Sequence, residues 1–158
     1  MKLVLHSAKR ASAPYRVRIG LNLKGLAFEL RPVDLVANAH QTEDYRSLNA
    51  QALVPTLEVD GRPLTQSLAI LEWLDEAFPE PRLLPTDPFD RATVRAMAEI
   101  IACDIHPLNN LRILRALTAL EIDEAQRNAW VTRWIRDGFS ALEPLVARHG
   151  GAFAFGDT

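Results

Sequence analysis

Ser12 lies two residues after an arginine and two before a proline, in the short polar stretch Arg10–Ala11–Ser12–Ala13–Pro14. Such a stretch leads into a helix, whose first turn offers backbone N–H groups without intrahelical partners. Those groups and the helix dipole stabilise an anion, and they lower the pKa of a thiol held against them. Ser12 is placed to donate to such an anion and Arg10 to supply a cation, although Ser12 would equally serve as a plain helix cap. A second site is Val54–Pro55, a proline opening an apolar run. If the bond is cis, the Val54 backbone N–H and C=O face a crevice and pair with an extended peptide, a short case of strand addition. A third is Gln66–Ser67, polar residues before Leu68, Ile70, Leu71, Leu74 and Phe78 at helical spacing. A helix N-terminus with a hydroxyl suits a carboxylate, and it also suits a simple cap. A fourth is Cys103–Arg112, where His106, Asn109, Asn110 and Arg112 interrupt an apolar helical pattern. It reads either as a polar pocket or as a satisfied polar seam between helices.

The elements that position these groups follow from periodicity and stop signals. Lys2–His6 is a short apolar strand, and a helix carrying Pro14 in its first turn runs to Lys24–Gly25, a glycine stop. Phe28–Leu35 is a second strand and Thr42–Leu48 a short helix. Val54–Val59 and Arg62–Thr65 are strands joined by the hairpin turn Asp60–Gly61. The helix from Gln66 completes the order β-α-β-α-β-β-α, a thioredoxin-like arrangement over residues 1–80. Prolines 79, 81, 85 and 88 mark a linker, assigned to 81–88, before an all-α part over 89–158. There Arg91–Arg115 reads as one long helix kinked at Pro107. Glu124–His149 reads as a second helix, with Trp130, Ile135, Phe139, Leu142 and Leu145 facing inward and Gly150–Gly151 ending it. The end, Phe155–Gly156–Asp157–Thr158, is an apolar segment followed by a turn, which suggests a helical domain cut short.

Composition narrows the function. The chain has 158 residues, 48% of them hydrophobic and 24% charged, with a formal net charge of −2. This is an ordinary globular composition with no global attraction to nucleic acid. Residues 1–34 nevertheless hold seven Lys or Arg against two acids, a bias suited to a small anionic ligand or to a solvated basic face. Cys103 is the single cysteine, so no internal disulfide forms, and the four histidines show no metal-ligand spacing. No secretion signal or membrane span is apparent, so a cytoplasmic location is expected.

Several motifs together resemble one family. Arg10-x-Ser12-x-x-Tyr15-Arg16-Val17-Arg18-Ile19, Asn22-Leu23-Lys24-Gly25, Leu53-Val54-Pro55-Thr56-Leu57, Gln66-Ser67-Leu68-Ala69-Ile70, Arg82-Leu83-Leu84-Pro85 and Asp104-Ile105-His106-Pro107-Leu108-Asn109-Asn110 are similar to zeta-class glutathione transferases, which include maleylacetoacetate and maleylpyruvate isomerases. The resemblance implies a thioredoxin-like domain followed by helices, glutathione as cofactor and a homodimer. It implies that Val54, beside Pro55, pairs with the cysteinyl backbone of glutathione. Gln66 and Ser67 would hold the γ-glutamyl end and His40 the glycine end, with His106, Asn110 and Arg112 completing the site. Ser12 and Arg10 would be catalytic, with Arg10 and Arg112 on the substrate carboxylates and Arg115 a weaker candidate. The implied chemistry is addition of the glutathione thiolate to the cis double bond of a maleyl dicarboxylate, rotation, and elimination to the trans product. One departure is Ala11, where the family carries the serine credited with activating the thiol. It leaves open a general transferase acting on electrophiles, or a binding protein without turnover.

Overall fold

The computed structural model describes residues 1–157, leaving Thr158 outside. The chain forms two compact units, Met1–Leu83 and Leu84 onward.

The first unit is built on a four-stranded sheet in the order β2-β1-β3-β4. Strand β1 is Leu3–Ser7, β2 Glu29–Pro32, β3 Thr56–Val59 and β4 Arg62–Thr65. β1 runs parallel to β2 and antiparallel to β3, and β3 antiparallel to β4. Helices α1 (Ser12–Leu23), α2 (Glu43–Leu48) and α3 (Ser67–Ala77) complete the expected thioredoxin-like order. Strands β2 and β3 are shorter than the sequence pattern suggests. β3 starts at Thr56, because Val54 and Pro55 lie ahead of the paired residues. At the hairpin, Asp60 (φ 48°) and Gly61 (φ 80°) both take left-handed backbone, as a tight two-residue turn requires.

One face of the sheet supplies Leu3, Leu5 and Leu57. They pack with Val17 and Leu21 of α1 and with Ile70 and Leu74 of α3, pairs four residues apart on each helix. The two helices meet in three rungs offset by 51 residues. Arg16 bonds Ser67 and Lys24 pairs with Asp75. Between them Gly20 lies so close to Leu71 that a Cβ would overlap its Cδ2. Lys24 caps the C-terminal end of α1. Its side chain is fully buried, and its ammonium donates to Asp75 Oδ1 (2.8 Å) and to the carbonyl oxygens of Phe78 (2.6 Å) and Pro81 (2.6 Å). All three of its donors are therefore used.

The second unit holds α4 (Pro88–Glu99), α5 (Leu111–Ala119) and α6 (Glu124–His149). The expected single helix over Arg91–Arg115 is not formed. α4 passes into a π-helical turn, Ile100–Ile105, closed by His106 N–H donating to Ile101 O, and then a 3₁₀ turn over Pro107–Asn109. Pro107 has no N–H to continue an α ladder, so the break spreads over the turns on both sides of it. α6 matches its expected span and opens with a capping box between Asp123 and Gln126. Its inward stripe is displaced, however: Trp130 donates to Leu108 O, and Gly138 closes on Ile105. Trp130, Trp134 and Gly138 thus share one face at four-residue steps, which turns Ile135 and Phe139 outward to 39% and 45% exposure. Beyond α6, Phe155 stacks on His149.

Candidate functional site

Strand register brings three of the sequence-identified groups to one end of the first unit's sheet. β1 ends at Ser7 and feeds the Arg10–Pro14 segment; its His6 faces Thr56, which opens β3 directly after Val54–Pro55. Thr56 in turn faces Thr65, the last residue of β4, after which come Gln66 and Ser67. The starts of α1 and α3 therefore flank the Val54–Pro55 segment.

At the first of these, Ala11 is the N-cap of α1 with extended backbone and no side-chain cap. Ser12 is the first helical residue and is exposed, so it does not cap the helix. Pro14, third in the helix, has no N–H to satisfy. The first turn therefore presents the Ser12 and Ala13 N–H groups and the Ser12 hydroxyl together. Arg10 lies exposed just before it. Ser7, at the end of β1, buries a hydroxyl with no hydrogen-bond partner among the described residues.

At the second, the Val54–Pro55 bond is cis, and Val54 is half-buried ahead of the β3 ladder. The Leu53 carbonyl just before it accepts from the Tyr45 hydroxyl (2.7 Å) and from Asn49 Nδ2 (2.8 Å). Burial pushes the Tyr45 phenol up, while hydrogen bonds with Thr56 and Asn49 pull the other way. Behind Tyr45 the His6 ring packs edge-on at 5.8 Å, and His6 Nε2 meets Glu58 Oε1 at 2.6 Å.

At the third, Gln66 is the N-cap of α3 with φ 68° and ψ 117°, a left-handed conformation that a side chain rarely takes. Its Nε2 donates to Gln51 Oε1 (2.7 Å). The buried Ser67 hydroxyl accepts from Arg16 Nη1 (2.7 Å), which leaves its own proton to donate. Arg16 and Gln51 were not singled out from the sequence. Arg16 stood in the sequence within the family-like run Tyr15-Arg16-Val17-Arg18, with no role attached to it, and Gln51 carried no signal.

The other expected residues are placed separately. His40 is buried in a 3₁₀ turn, Ala39–Gln41. In the second unit, His106 ends the π-helical turn and Asn110 is the N-cap of α5, its Oδ1 accepting from the Arg112 N–H (3.1 Å). Arg112 and Arg115 are exposed on α5. Asn109 carries an amide whose two polar atoms are buried without a partner among the described residues. Among those residues, no group of three or more His, Cys, Asp or Glu could hold a metal ion. No helix among them is long and apolar enough to cross a membrane.

Residues 12–77 match the glutathione S-transferase N-terminal domain. The chain is 46% identical to a maleylpyruvate isomerase from a Ralstonia species, covering 98% of this chain and 74% of that protein. It superposes on the holo structure of a maleylpyruvate isomerase, described as a bacterial zeta-class glutathione S-transferase. The TM-score is 0.94 at 46% identity, with 98% of this chain and 74% of the other covered. The chain belongs to the zeta-class glutathione transferase family. Another member of that family, maleylacetoacetate isomerase from Anaeromyxobacter dehalogenans 2CP-1, has been solved with dicarboxyethyl glutathione and citrate in its active site. It matches with a TM-score of 0.85 at 43% identity, over 99% of this chain and 73% of that one.

Proposed function

We propose that the protein is a glutathione-dependent cis–trans isomerase of maleyl compounds. The observation that carries this is the convergence of two uncapped helix starts on the Val54 backbone, a donor set that fits a peptide bearing one sulfur anion and a carboxylate. Bound glutathione supplies a thiolate that adds to a cis double bond and leaves again after rotation.

The chain's own residues do the rest. The Ser12 and Ala13 N–H groups, with the Ser12 hydroxyl, hold a sulfur anion over the start of α1. Val54 pairs through its backbone with the cysteinyl unit. Gln66 and Ser67 receive the γ-glutamyl carboxylate, with the Arg16 guanidinium polarising the Ser67 hydroxyl. Arg10 binds a substrate carboxylate as a planar fork, and Arg112 has the same chemistry. The proposal also assigns His40, His106 and Asn110 to ligand binding, and includes a homodimer working in the cytoplasm. Ala11, which has no hydroxyl, favours one second reading, a glutathione-binding protein without turnover. Retention on immobilised glutathione with no conversion of maleylpyruvate or maleylacetoacetate would establish it instead.

The direct test follows loss of the cis compound when the full chain is given glutathione and maleylpyruvate. The Ser12→Ala variant should then lose about 10- to 100-fold in kcat, the worth of one hydrogen bond to a charged group. An unchanged rate would transfer thiol activation from Ser12 to the helix N–H groups alone.

Gln66 gives a prediction with two opposite readouts. Its left-handed backbone stores about 1–3 kcal/mol, more than the roughly 0.5–1 kcal/mol of chain entropy that a glycine costs. Gln66→Gly should therefore raise the melting temperature while weakening glutathione binding. A variant that is less stable, or that binds as well as the parent, would remove the ligand-holding role from this conformation.

A further inference from the structure

A layer of buried polar groups between the sheet and α2 touches none of the groups proposed to meet the ligand directly, yet it surrounds the segment that carries one of them. Asn49 is 4% exposed and uses its whole amide. Its Oδ1 accepts from the Gln51 N–H (3.0 Å), and its Nδ2 donates to Leu53 O (2.8 Å) and Thr56 Oγ1 (3.3 Å). Its carbonyl accepts from the Ala52 N–H (2.8 Å), closing a tight turn over residues 50 and 51, and Ala52 at its end takes φ 53°. A left-handed alanine persists only where the surroundings fix it. From the α2 side, Tyr45 donates to the same Leu53 oxygen, and its own oxygen lies 3.1 Å from the fully buried Thr56 hydroxyl. A single assignment satisfies all three groups: Asn49 donates to Thr56, Thr56 to Tyr45, and Tyr45 to Leu53.

We infer that Asn49, assisted by Tyr45, is a positioning residue that aims the Val54 N–H and the Gln66 side chain at the ligand. The inference rests on the glutathione reading above. Leu53 O and Val54 N–H belong to one planar trans peptide and point in opposite directions. Two donors hold that oxygen in the buried layer, so the N–H is turned away from the layer, out of the fold. The same asparagine holds the Gln51 backbone, and Gln51 is the residue that Gln66 bonds. One amide therefore sets both the cysteinyl contact and the γ-glutamyl contact, while touching no ligand itself.

The test is calorimetric titration of the full chain with glutathione, joined to steady-state kinetics with maleylpyruvate. Asn49→Ala should weaken glutathione binding about tenfold or more and raise its KM in parallel, with kcat at saturation within about twofold of the parent. Tyr45→Phe, which deletes one hydroxyl and preserves the ring against His6, should weaken binding about three- to tenfold by the same measure. A purely structural role would lower kcat with the fraction folded and leave KM in place, and that result overturns the inference. So does a folded variant that binds glutathione like the parent. If Asn49→Ala fails to fold, Tyr45→Phe decides by the same criteria. A parent protein that does not bind glutathione at all overturns the isomerase reading as well, which separates the two failures.

Discussion

Replacing Lys24 with methionine should cost the protein about 3–5 kcal/mol in urea denaturation, the usual loss when one member of a buried ion pair is removed. The size follows from the count of acceptors. The side chain is fully buried, and each ammonium proton has its own oxygen, on Asp75, Phe78 and Pro81. Methionine fills the volume but takes from the Asp75 carboxylate its cationic partner, and leaves two carbonyls with one partner fewer. A companion change of Asp75 to leucine should recover part of the loss, since it removes the stranded charge. It should not recover all of it, because the two carbonyls still lack the ammonium donor. A single-variant loss below about 1 kcal/mol would mean that water reaches the ammonium site after all.

The second large effect is on binding. Arg16→Leu should raise the Kd for glutathione about 10- to 100-fold, because it deletes a charge-assisted bond to the Ser67 hydroxyl. Without the guanidinium the hydroxyl loses its donor and its polarisation, and the start of α3 loses a nearby positive charge. Lysine at the same position should restore only part of the affinity, since a point charge on a flexible stem does not reproduce a planar fork. Titration calorimetry on the parent and both variants reads this directly. Equal affinities in all three would confine Arg16 to holding the helices together.

Much of the first unit was legible because its signals are local. Gly25 stops a helix, Asp60–Gly61 turns a hairpin, and alternating or four-residue spacing marks each buried face. The groups at the sheet end were legible for the same reason, each being a short run of neighbouring residues. Arg16 and Gln51 were not, since their partners lie 51 and 15 residues away and only the assembled fold shows them. The long helix over Arg91–Arg115 was misjudged because apolar spacing survives a π-helical turn. Such a turn changes the hydrogen-bond ladder and hardly alters which residue types are apolar. The outward turn of Ile135 and Phe139 has a similar cause: a glycine at 138 lets α6 come close against Ile105, and hydrophobicity gives it no weight.

The three rungs between α1 and α3 tie chemistry at one end of the helix pair to mechanical support at the other. Arg16, Gly20 and Lys24 occupy successive turns, and each answers a residue of α3 at the same offset. A bulkier residue at the middle rung would act as a wedge, and slack at the lower rung would let the pair splay. Either change would reach the upper rung as a shift in where a carboxylate is received. Adaptation of this protein to heat or cold through that seam would therefore retune its hold on glutathione along the way.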